Sequence, residues 1–286
     1  MENILEINGL CKTMGDFALK DVDLSLPRGT IMGLVGENGA GKTTLIRLLL
    51  GAAAPDRGGI RLLGEDMKRE NPGVKERIGV VTDECCFHDG LRPKDIARIF
   101  RALYRGWDDG AFTGYLRQFG LPQEKLVRDF SRGMKMKLSI SAALAHHPEL
   151  LILDEATSGL DPIVRDEILD LFLEFIGEEE HGILISSHIV SDLEKAADYI
   201  TFLHRGEVML SGEKDRMLER FGILRCGAGQ AAELEPADRA RAQEGRFGVS
   251  LLVRDREAAA RRYPGFVIDR AGLEDIMLYL SKEGKR

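Results

Sequence analysis

The sequence predicts an α/β fold with a largely parallel sheet, and three observations carry that reading. Thr30–Val35, Leu150–Leu153 and Gly182–Ser187 are short apolar runs without alternation, as expected of strands covered on both faces. Helical periodicity separates them: Leu45, Leu48 and Leu49 share one face, the stretch from about Pro93 to His147 is mostly helical, and Ile163–Ile176 is helical again. A glycine-rich loop joins the first run to the first helix, giving a strand–loop–helix unit.

The remaining elements follow in order. Ile4–Ile7 and the alternating Val22, Leu24 and Leu26 read as β segments, with a turn at Pro27-Arg28-Gly29. Gly58-Gly59 and Gly64 punctuate a short strand at Ile60–Leu63, and Glu178-Glu179-Glu180 reads as a solvated loop before a strand. Ile200–Leu203 and Glu207–Leu210 flank His204-Arg205-Gly206 as a hairpin. After about residue 213 the texture changes. Residues 228–246 are small and charged without an apolar period, which predicts a loop or linker. Val249–Val253, Phe266–Ile268 and a helix at Leu273–Ser281 then form a small accessory unit.

Length and charge bound the function. At 286 residues the chain has room for about two domains. Forty Lys and Arg against 47 Asp and Glu leave a net charge of −7, against the basic excess of a general nucleic-acid binder. No apolar run reaches the roughly 18 residues of a membrane span, and MENILEINGL lacks the basic start and apolar core of a signal peptide. These features predict a cytoplasmic protein. Cys11, Cys85, Cys86 and Cys226 are too few and too irregularly spaced for a disulfide framework and read as reduced thiols.

Two motifs carry chemistry. Gly36-Glu37-Asn38-Gly39-Ala40-Gly41-Lys42-Thr43 fits G-x-x-x-x-G-K-[ST] between a strand and a helix, where glycines let backbone N–H groups wrap around phosphates. Lys42 would reach the β and γ phosphates, and the Thr43 hydroxyl would ligate Mg²⁺. Leu150–Leu153 then ends in Asp154-Glu155. Asp154 would hold Mg²⁺, and Glu155 would polarise an attacking water as general base. A guanine-specifying N-K-x-D motif is absent, which removes the small-GTPase reading.

With these motifs in place, the chain resembles the ATP-binding-cassette (ABC) ATPases, the motor subunits of ABC transporters. Phe130-Ser131-Arg132-Gly133-Met134 stands where the family has its signature, Ser158-Gly159-Leu160-Asp161 where it has the D-loop, and Ser187-His188 where it has the switch histidine. Ile78-Gly79-Val80-Val81 leads into the Q-loop position. The wording SRGMKMKLS is most similar to bacterial multidrug and antimicrobial-peptide exporters.

The resemblance implies a RecA-like core, an N-terminal antiparallel β subdomain and a helical subdomain at about 88–147. Together they span residues 1–215, with a C-terminal accessory α+β region at 216–286. It implies ATP and Mg²⁺ as cofactors, with Gly36 to Thr43 and Thr44 around the phosphates. Ser131 and Gly133 would face the γ-phosphate bound by a second ATPase subunit, in a homodimer or a paralogous heterodimer. Asp161 would couple the two sites, and His188 would contact the γ-phosphate in its own protomer. A separate integral-membrane permease would be the partner, which places the chain at the cytoplasmic face of the membrane.

The sequence departs from the family at several positions. Asp83, followed by Glu84, replaces the Q-loop glutamine, and either carboxylate would approach Mg²⁺ without an amide's donor. Met14 stands near the usual adenine-stacking aromatic, with Phe17 the nearest ring. Arg132 replaces a signature glycine and adds a cation near phosphate. His146-His147 read as a helix end. Two other functions stay open at this point. One is a soluble ABC-type ATPase, against which stand the single cassette and the missing coiled-coil insertion. The other is a degenerate regulatory module, against which stand Glu155 and His188.

Overall fold

A computed structural model describes residues 2–67, 71–177, 180–227, 229–245 and 248–283. Glu178 and Glu179 of the acidic run lie outside them; Glu180 is exposed. The chain divides into two compact units between Ser211 and Gly212.

The first unit is built on a six-stranded sheet in the order Glu207–Glu213, Tyr199–His204, Thr30–Val35, Gly182–Ser187, Leu150–Asp154, Ile78–Val81. Thr30–Val35 pairs in parallel with Gly182–Ser187, which pairs in parallel with Leu150–Asp154. Every residue of Leu150–Asp154 and Gly182–Ser187 is buried. Each such Leu or Ile contributes about 1.5–3 kcal/mol relative to exposure. The register sets Val35 opposite Ser187 and Asp154 opposite Ser186. The carboxyl ends of the three strands are therefore level, and the loops that follow them emerge side by side. Ligands of open parallel sheets bind at such an edge.

An antiparallel sheet in the order Phe17–Pro27, Asn3–Met14, Arg57–Leu62, Glu65–Asp66 packs its apolar side into the same core. Val22, Leu24 and Leu26 alternate inward as their spacing predicts. Gly58 and Gly59 do not break this sheet; both lie inside Arg57–Leu62. A Cβ on Gly58 would stand 2.4 Å from the Gly9 carbonyl oxygen, so the glycine marks a close backbone approach. Helices Pro93–Leu103, Asp109–Gln118 and Arg132–Leu144 enclose a separate apolar cluster around Ile96, Phe112, Leu116 and Leu138.

The second unit has an antiparallel sheet in the order Gln243–Gly245, Gly248–Val253, Gly222–Cys226, Val267–Arg270. Its last helix is Leu273–Glu283. Residues 228–246 are not the expected linker. They contain a 3₁₀ turn at Gln230–Glu233, a helix at Pro236–Arg241 and the edge strand Gln243–Gly245. Tertiary contacts organise them, not local periodicity: Leu234 is buried in the unit's core, and the buried Asp238 accepts a hydrogen bond from Tyr263 Oη at 2.7 Å.

Candidate active site

The phosphate loop leaves Val35 and enters the helix Lys42–Leu49 through Gly41, whose φ of 114° a side chain rarely adopts. A Cβ on Gly41 would press on Phe17 at 2.8 Å and Leu19 at 2.7 Å. Lys42 is only 6% exposed, and its ammonium donates to the Gly36 carbonyl at 2.7 Å. A cavity of about 540 Å³ opens over this loop. Its walls include Glu37, Asn38, Gly39, Ala40, Gly41, Lys42, Thr43 and Thr44, joined by Asp83, Glu155, Ser158 and His188.

The acidic strand end is shaped by backbone strain and by one serine. Glu155 has φ 54°, the left-handed region, which costs a non-glycine residue about 1–3 kcal/mol. That turn takes Glu155 out of the strand's alternation and into the cavity wall. Its N–H donates to Ser186, reaching the carbonyl at 3.1 Å and Oγ at 3.2 Å. The Ser186 hydroxyl donates to Asp154 Oδ1 at 2.6 Å. One buried hydroxyl thus orients both carboxylate residues. Sequence reasoning missed Ser186; the only signal was a polar pair, Ser186-Ser187, ending an otherwise apolar strand.

The Glu155 carboxylate lies between two partners. Lys42 Nζ is 3.2 Å from one oxygen, and His188 Nδ1 donates to the other at 2.6 Å. An ionised carboxylate only accepts, so the proton in this bond is assigned to Nδ1. Asp154, 8% exposed, is not among the residues that line the cavity.

Other predicted residues lie elsewhere. Ser131, Gly133 and Asp161 are not in the cavity walls. Ser131 Oγ caps the helix Arg132–Leu144, accepting from Met134 N at 3.2 Å. Asp161 caps Pro162–Ile176 in the same way, accepting from Val164 N at 3.1 Å with proline following it. Gly133 faces Val164, 3.4 Å from where its Cβ would be. Arg132 does not reach toward phosphate within its own chain. It donates to Asp83 at 2.6 Å, both side chains being about half exposed, and lies against Gly159. Met14 and Phe17 both line the cavity, Phe17 while also packing on the core. His146 is buried, stacked on Tyr104 at 4.3 Å, and its burial pushes its pKa down, so it serves packing.

The site fits a nucleotide and a divalent ion. Gly39, Gly41, Lys42 and Thr43, whose backbone N–H groups, ammonium and hydroxyl suit phosphate, line one cavity. Among the described residues no three His, Cys, Asp or Glu side chains converge as a metal site. No helix among the described residues is long and apolar enough to cross a membrane.

Comparison with known proteins gives a consistent picture. A family described as ABC transporter matches residues 19–158. The chain is similar to the bacitracin transport ATP-binding protein BcrA of Enterococcus faecalis, with 36% identity over 73% of this chain and 69% of the relative. It is 30% identical to the daunorubicin resistance ATP-binding protein DrrA3 of Streptomyces coeruleorubidus, over 100% of this chain and 98% of the relative. A solved ATP-binding subunit of an ABC transporter superposes with a TM-score of 0.69 at 28% identity, covering 75% of this chain and 91% of the other.

Proposed function

The chain belongs to the ATP-binding subunits of ABC transporters, and from that premise we propose that two copies, or this chain and a paralogue, close around two ATP molecules to drive a separate membrane permease. The observation that carries this reading is the placement of Glu155 between Lys42 and His188 in the phosphate-loop cavity. Phosphate oxygens compete with Glu155 for the Lys42 ammonium. Once the ammonium turns to phosphate, Glu155 is free to accept a proton from water, with His188 holding its second oxygen. Nε2 of His188 then faces the γ-phosphate. Mg²⁺, held by Thr43 and Asp83 and, through water, by Asp154, would neutralise charge developing on the phosphates.

Ser131, Gly133 and Asp161 lie outside their own chain's cavity and would complete the partner's. Ile163, 73% exposed beside Asp161, supplies apolar surface for that contact. The partner in the membrane is an integral permease, bound at the cytoplasmic face, and the relatives' names favour export of an antimicrobial compound. Glu155→Gln keeps the shape of the side chain and removes the base. Turnover should fall by about 10²-fold or more, and with ATP the variant should elute as a dimer on size exclusion. A variant that stays monomeric with ATP would count against the two-chain site.

A further inference from the structure

The two loops that carry Glu155 and His188 are joined twice. The first joint is the 2.6 Å bond between those side chains at the cavity. The second lies away from it, in residues that do not line the cavity. Arg165 sits in the first turn of Pro162–Ile176. One terminal nitrogen of its guanidinium donates to the Leu160 carbonyl at 3.2 Å, on the loop that runs from Glu155 to Asp161. The other lies 3.6 Å from Asp192 Oδ1. Asp192 is 3% exposed and belongs to the helix Val190–Ala196, which begins two residues after His188.

A carboxylate buried to that degree needs a cationic partner, and an arginine could serve it without touching anything else. Here the same planar fork also grips a backbone carbonyl of the opposite loop. The joined segments are those that must keep Glu155, on a strained backbone, in register with His188. We propose that Arg165 is a positioning residue: through Leu160 and Asp192 it clamps the Glu155 loop to the His188 helix and so sets the distance between base and histidine. The proposal rests on the roles given above to Glu155 and His188.

Arg165→Lys separates positioning from mere charge compensation. An ammonium can neutralise Asp192, yet a point charge cannot hold the two directions of a guanidinium fork. In the full chain, ATPase kinetics of Arg165→Lys should show kcat lowered about tenfold, with KM and the affinity for a fluorescent ATP analogue within about twofold of wild type. The nearly isosteric Asp192→Asn should lower kcat to a similar degree. Because both act through one link, the double variant should lose no more than the worse single variant.

A folded Arg165→Lys or Asp192→Asn with wild-type kcat would overturn the clamp. So would losses confined to KM, or losses that multiply in the double variant. If Arg165→Lys fails to fold, Asp192→Asn alone decides by the same criteria. A wild-type chain without ATPase activity, or Glu155→Gln at full activity, would sink the catalytic reading itself. Full activity of Arg165→Lys in an active chain would sink only this one.

Discussion

Two polar clusters, one in each unit of the chain, show different arrangements. In the first, Lys42, Glu155 and His188 are linked to one another, yet their links open on a cavity, and Glu155 holds a strained backbone to get there. In the second, polar groups close on themselves. Tyr263 donates to Asp238 at 2.7 Å, Tyr279 donates to Ser250 at 2.6 Å, and the Ser281 hydroxyl donates to the Leu278 carbonyl at 3.0 Å. Burial of polarity alone therefore does not mark a site. Convergence on a shared space, at the cost of local strain, does.

The largest effect should come from breaking the convergent side. Lys42→Ala removes a buried ammonium that contacts both the Gly36 carbonyl and Glu155. Steady-state phosphate release should drop at least about 10²-fold, since the lost charge acts on the transferred phosphoryl group. Substantial remaining hydrolysis would refute the phosphate-loop assignment.

A smaller effect should come from the position where the family glutamine is replaced. Asp83 lines the cavity but is also bonded to Arg132, a half-exposed pair of the kind that adds at most about 1 kcal/mol to stability. Asp83→Ala should therefore leave the fold intact. Mg²⁺-dependent turnover should fall about tenfold if the carboxylate meets the metal. Cys85→Ala, two residues on, should change turnover by less than about twofold. Equal effects of the two substitutions would remove Asp83 from the metal site.

How much could be read beforehand differs between the units for the same physical reason. Phosphate loops and parallel strands announce themselves locally: the glycines of 36–41 answer to backbone geometry, and Leu150–Leu153 and Gly182–Ser187 answer to burial on both faces. Asp161 was legible by its place in the motif, but not as the cap of the helix that follows it. Ser186, Arg165 and Asp192 were not legible, because their meaning lies in partners 20 or more residues away or in an adjacent loop. Arg132 was legible as a cation but not as the partner of Asp83, which lies 49 residues earlier. Residues 228–246 misled for the reverse reason. A six-residue helix is too short for a periodic signal and stands on tertiary contacts.

The smallest predicted effect on turnover tests the closed side of the comparison. Burial, together with the Asp238 carboxylate beside it, pushes the Tyr263 hydroxyl pKa up, so Tyr263 remains a donor at neutral pH. The same oxygen accepts from the Glu235 N–H at 3.2 Å. Tyr263→Phe would take a hydrogen bond from the buried Asp238, which also lies 3.6 Å from Arg262, and would strip Glu235 N–H of this acceptor. The loss should be about 1–3 kcal/mol of local stability, read as faster hydrogen exchange in strands Gly222–Cys226 and Gly248–Val253. ATP turnover should stay within about twofold of wild type, because that network is built wholly from residues of the second unit. A marked fall in turnover would break the contrast, since it would mean that the closed polar network of the second unit also serves the reaction in the first.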